Sequence, residues 1–202
     1  MKKIRYILGC VATLLISHHS VHAAAIGMPE YVAKYGFAID ATLTQVDDPR
    51  GTSERENSLQ PINVIYVREI PLKRWRYWAE AYYHRTRFDA KPGSIGLTAQ
   101  QLGASLSLQQ ALDLSFFPRQ HIYAGAGLQL AYNRYTKRHN VDDNGFLDES
   151  YKDKSKLQQS LLLHLFYELP IKTPWTGGLK LEQNIPINDD ITETSLSFVV
   201  LF

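Results

Sequence analysis

Large apolar side chains recur at every second position along eight stretches of this chain. From Tyr35 the odd positions read Tyr35, Phe37, Ile39, Ala41 and Leu43, against Gly36, Ala38, Asp40, Thr42 and Thr44. A strand turns successive residues to opposite faces, so this period of two predicts a strand with one large apolar face and one small or polar face. Residues 61–70 carry a weaker alternation, with Ile62, Val64 and Tyr66 on the apolar side. In the third stretch Trp75, Tyr77, Ala79, Ala81 and Tyr83 form one row, and Arg76, Trp78, Glu80, Tyr82 and His84 the other. The fourth sets Leu102, Ala104, Leu106 and Leu108 against Gln101, Gly103, Ser105, Ser107 and Gln109. The fifth sets Ala126, Leu128, Leu130 and Tyr132 against Gly125, Gly127, Gln129, Ala131 and Asn133. Leu161, Leu163, Leu165 and Tyr167 then oppose Ser160, Leu162, His164, Phe166 and Glu168. Leu179, Leu181 and Ile185 oppose Lys180, Glu182 and Asn184, and the last row is Leu196, Phe198, Val200 and Phe202.

The connections between these stretches alternate in character. Residues 47–60, 89–96, 137–156 and 188–192 are mostly long and charged, whereas those around Pro71, Pro118 and Pro174 are shorter and rich in Pro or aromatic residues. Outer-membrane barrels show that asymmetry, with long extracellular loops and short periplasmic turns. Trp75, Tyr77, Tyr167 and Phe202 fall near the expected periplasmic strand ends, and Tyr83 and Tyr132 near the expected outer ends. Amphipathic rings favour those two interfaces. The expected fold is all-β: an eight-stranded antiparallel up-and-down transmembrane β-barrel over residues 25–202.

The first 24 residues change the picture of where the chain goes. Lys2, Lys3 and Arg5 precede an apolar run from Ile7 to Ile16, and small residues follow up to Ala23, Ala24 and Ala25. That order is expected of a signal peptide, and the run is too short to cross a bilayer as a helix. Cys10, the chain's one cysteine, lies inside it, so the remainder has neither disulfide nor thiolate metal site. Three of the 22 basic residues and none of the 20 acidic ones lie in this segment, leaving 19 against 20. No basic field points to nucleic acid. Beyond the signal no stretch reaches 18 uncharged apolar residues, so a membrane-spanning reading requires strands rather than helices. A secreted lipocalin-like barrel has the same alternation with its faces exchanged, and sequence alone does not say which face is which.

The terminal row Leu196, Phe198, Val200, Phe202 and the stretch from Pro118 to Gly127 (PRQHIYAGAG) resemble the small outer-membrane barrel families of the OmpA/OmpX and OmpW types. The resemblance implies a cell outer-membrane location in a Gram-negative envelope. It also implies that the Phe-terminated last strand is the assembly signal read by the barrel-assembly machinery. Some barrels of this size modify lipid A. The deacylase pattern places a His two residues before a Ser, and none of His84, His121 and His164 is so followed. No enzymatic activity and no cofactor are therefore expected.

If the large apolar residues face lipid, then Asp40, Arg76, Glu80, His84, His164, Glu168, Lys180 and Glu182 face the lumen. Eight strands leave an interior only wide enough for side chains, and buried charges are costly unless paired. A mutually paired plug is expected rather than an open channel. Asn140 to Gly145 superficially resembles a calcium loop, but Asn140 and Tyr151 stand where its first and twelfth ligands belong, so a hairpin turn at Asn144-Gly145 is expected. Residues 137–156 mix Lys137, Arg138, Lys152, Lys154 and Lys156 with Asp142, Asp143, Asp148, Glu149 and Asp153, suiting lipopolysaccharide phosphates or plain solvation alike. The leading reading is a non-enzymatic barrel with charged extracellular loops and an envelope-structural or surface-interaction role, its partners being outer-membrane lipid, lipopolysaccharide and a host or surface ligand. The alternatives are a porin-like small-solute transport barrel and a lipid-A-modifying enzyme.

Overall fold

The computed structural model describes residues 33–47, 53–69, 74–112, 121–169, 175–187 and 191–202. The signal segment lies outside them. Among the described residues nine strands form: β1 (Ala33–Asp47), β2 (Ser53–Glu69), β3 (Trp75–Phe88), β4 (Gly96–Leu112), β5 (His121–Val141), β6 (Leu147–Ser150), β7 (Lys154–Leu169), β8 (Thr176–Pro186) and β9 (Ile191–Leu201). Every pairing is antiparallel, each barrel strand lies beside its sequence neighbours, and β1 pairs with β9 to close the ring. Eight strands make the barrel; β6 pairs only with the far end of β5. An even strand number brings the start of β1 and the end of β9 to the same rim, where Tyr35 and Phe202 exchange backbone hydrogen bonds of 2.8 and 3.0 Å.

The face assignment follows the alternation. Leu106, Leu128, Leu161, Leu181 and Leu196 are exposed on the outer wall, while their polar neighbours point into the barrel. Leu106, Leu128 and Leu161 form one continuous row across three strands, because Leu106 pairs with Leu128 and Leu128 with Leu161. Tyr83, Leu102, Tyr132 and Leu157 are likewise in register, which sets an aromatic row toward the rim opposite the termini.

Two of the expected loops are largely strand. β2 begins at Ser53 rather than at Pro61, and β5, β6 and β7 take up most of residues 137–156. The 21 residues of β5 are about twice the 9–11 that a tilted strand needs to cross a bilayer core. A strand polar on both faces loses its hydropathy alternation and reads as a loop. Pro61 is accommodated by a bulge, since Ala38 pairs with Asn63 but Asp40 pairs with Gln60, leaving Pro61 and Ile62 opposite Ile39. The β2–β3 ladder ends nearby, at Asn63 and Tyr82. Gln60 substitutes for the next rung: its side-chain oxygen accepts the Arg85 N–H (2.9 Å) and its amide nitrogen donates to the Arg85 carbonyl (3.3 Å).

Candidate functional site in the barrel lumen

The interior has three layers. At the rim bearing the termini, Ala38, Ile65, Val67, Trp78, Phe166, Val199 and Leu201 pack into an apolar cluster. At the opposite rim Val46, Phe88, Leu97, Ala99, Tyr135 and Ile191 form a second one. Polar and charged side chains fill the space between, and one further pair, Arg76 with Glu168, lies on the rim side of Trp78 and Phe166. Hydrophobic position alone could not reveal the two apolar layers, because Phe88, Leu97 and Ile191 look like ordinary strand formers.

The polar chain begins near the terminal rim. Arg76 reaches Glu168 at 3.4 Å, donates to Gln109, and lies with its guanidinium carbon 3.4 Å from the centre of the Tyr123 ring. Gln109 meets His164 Nε2 at 2.8 Å, and His164 Nδ1 lies 3.7 Å from Glu182. The centre is a triad: Lys180 Nζ lies 2.5 Å from Glu80 and 3.0 Å from Glu182. Lys180 is fully buried. Glu80 also accepts from Trp78 Nε1 (3.1 Å) and from Asn63 Nδ2 (2.9 Å), and Asn63 donates onward to Asp40. His84 then sits between two acids, 3.6 Å from Asp40 and 3.5 Å from Glu193. Glu193 accepts from Thr44, which continues through Thr86 to Ser58 at 3.3 and 3.0 Å.

The structure thus brings Asp40, Arg76, Glu80, His84, His164, Glu168, Lys180 and Glu182 into one chain along the barrel axis. Sequence reasoning missed Glu193, Gln109 and Asn63 as its connectors. All three lie at inward parity on their strands, so parity was the available signal; their partners depend on strand stagger, which alternation does not encode. Leu196 and Phe198 project outward on β9, and Phe202 is exposed beside Trp175, with ring centres 5.7 Å apart.

Small residues make room for this column. A Cβ at Gly125 would clash with His164 Nε2 and lie 2.9 Å from Gln109 Cγ. Gly125→Ala is therefore expected to displace His164 and cost about 1–3 kcal/mol by overpacking. Urea titration of the barrel in lipid vesicles measures it, and an unchanged midpoint would contradict the placement of His164.

One local arrangement has the outline of a catalytic triad. Ser107 Oγ lies 3.5 Å from His164 Nε2, and His164 Nδ1 faces Glu182. Both contacts are long, Gln109 holds Nε2 at closer range, and Ser107 is turned toward the Trp78 carbonyl (3.4 Å). Ser107 is buried beside Trp78, its cross-strand partner on β3. A nucleophile needs its base in close hydrogen-bond reach and a place for substrate; here the base stands at 3.5 Å with Gln109 nearer to it, and the serine is buried. At the acidic tip, the Asp142 carboxylate accepts the backbone N–H groups of Asn144 (3.0 Å) and Phe146 (2.8 Å), and Gly145 takes a positive φ of 83°. The tip is a β5–β6 hairpin turn.

No protein-family model and no curated protein matches this chain. Among solved structures it resembles Ail, the attachment invasion locus protein of Yersinia pestis, with a TM-score of 0.50 and 10% identity over 84% of this chain and 99% of that one. Ail in complex with the heparin analogue sucrose octasulfate gives the same TM-score of 0.50 at 12% identity, again over 84% and 99%. Neisserial surface protein A aligns over 86% of this chain and 98% of its own, with a TM-score of 0.47 and 16% identity. The likeness to Ail is one of fold, that of a small outer-membrane β-barrel.

Proposed function

We propose that this chain is a non-enzymatic, non-conducting barrel of the bacterial outer membrane, whose work is done at its extracellular surface. The observation that carries this reading is the filled lumen, in which the central charges around Lys180 are paired and lie between two apolar clusters. Ions crossing such an interior would have to break buried pairs and enter an apolar layer, and both steps are costly. The eight lumen charges are then a structural plug. The N-terminal segment is the export signal, and the row Leu196, Phe198, Val200, Phe202 is the assembly signal. The charged extension formed by β5 and β6 is the part that reaches furthest toward host or surface ligands, an envelope-structural or adhesive role being served from there.

The test is conductance. Protein reconstituted in a planar bilayer at neutral pH is expected to give no unitary current steps. Reproducible steps from the wild-type chain would support the small-solute transport reading instead. Altered lipid A on expression would support the lipid-modifying one.

A further inference from the structure

The register of the outer wall places a group of arginines one step beyond the outer aromatic row. Tyr83, Leu102 and Tyr132 are cross-strand partners on β3, β4 and β5. Two residues further along the same strands, on the same outer face, Arg85 pairs with Gln100 and Gln100 with Arg134. Arg87 stands two positions above Arg85 on the outer face. Adjacent strands lie about 4.8 Å apart, so Arg85 and Arg134 are about 10 Å apart across Gln100, within converging reach of two long side chains. No acid belongs to that row. Arg87 pairs with Asp89 at 3.3 Å and Arg134 with Asp153 at 3.5 Å, both in exposed pairs that a stronger anion can displace. At the comparable level β1 and β9 present Leu43 and Gln45 opposite Thr194 and Thr192, and the arginine beside them, Arg55 on β2, donates to Gln45 (2.9 Å).

We infer that Arg85 and Arg134, with Gln100 between them, form a binding site for a phosphate group of the glycolipid in the outer leaflet. Depth selects the occupant. The row lies one side-chain length above aromatic residues that mark the edge of the apolar wall, which is where a lipid headgroup sits and a soluble partner does not. Charge and geometry select the group, because the guanidinium fork matches phosphate oxygens in a bidentate way. The site differs from the charged hairpin extension, whose basic residues are interleaved with acids. It rests on the outer-membrane reading above.

The experiment folds the full barrel into nanodiscs of phosphatidylcholine alone, with bisphosphorylated lipid A, or with enzymatically dephosphorylated lipid A. Heat-modifiable migration is followed against temperature. The wild-type midpoint is expected to rise with bisphosphorylated lipid A only, and inorganic phosphate added to the phosphatidylcholine discs is expected to leave it unchanged. R85Q/R134Q is expected to lose the rise while still folding in phosphatidylcholine, R85K/R134K to keep part of it, and the distant R68Q to keep all of it. A rise that ignores the phosphates, or that survives in R85Q/R134Q, overturns the site. A wild-type chain that is heat-modifiable in no disc overturns the membrane reading itself.

Discussion

Replacing Lys180 with Met is expected to destabilise the folded barrel by about 3–5 kcal/mol, the usual cost of breaking a buried ion pair by removing one partner. Lys180 is the cation between Glu80 and Glu182, and the Met side chain would leave both carboxylates facing each other inside the wall. Water cannot solvate them there as it does at a surface. The same logic predicts a rescue. Lys180→Met combined with Glu80→Gln and Glu182→Gln removes the uncompensated charge and should recover much of the loss, since neutral replacements of whole buried clusters are often tolerated. Urea midpoints in lipid vesicles, read by heat-modifiable migration, measure both. A single-variant loss below about 1 kcal/mol is what an exposed pair gives, and it would mean the lumen is solvated.

The second large effect concerns the outer wall. Leu128 is 62% exposed and is flanked by Leu106 and Leu161 in register. Leu128→Arg is expected to cost about 2–4 kcal/mol if this row faces the bilayer midplane. The same substitution on a wall facing water would stay within about 0.5 kcal/mol. The result therefore separates a membrane barrel from a secreted one with similar strands.

How much of this was legible in the sequence differs between the wall and the lumen. Alternation located the barrel strands, the second only weakly, because a wall with an apolar outer face and packed side chains within imposes a period of two. It failed where that contrast disappears. Residues 55–58 and 136–140 lie in strands and are polar at every position, so nothing in their pattern distinguished them from loops. Inward parity selected the lumen charges, yet their partners remained hidden. That Lys180 meets Glu80, a hundred positions away, follows from the stagger with which strands close a ring, and no local pattern records it. The apolar layers were hidden for a related reason. Val46 and Phe88 sit at inward parity, where their size signals closure of the rim only once the neighbours across the barrel are known.

Heat-modifiability of the native protein in detergent-extracted outer membranes tests the central claim most directly. The account predicts that the protein fractionates with the outer membrane, stays compact in unheated SDS and shifts its migration after boiling. Recovery as a soluble periplasmic protein with no shift would contradict it and make a lipocalin-like carrier the better description.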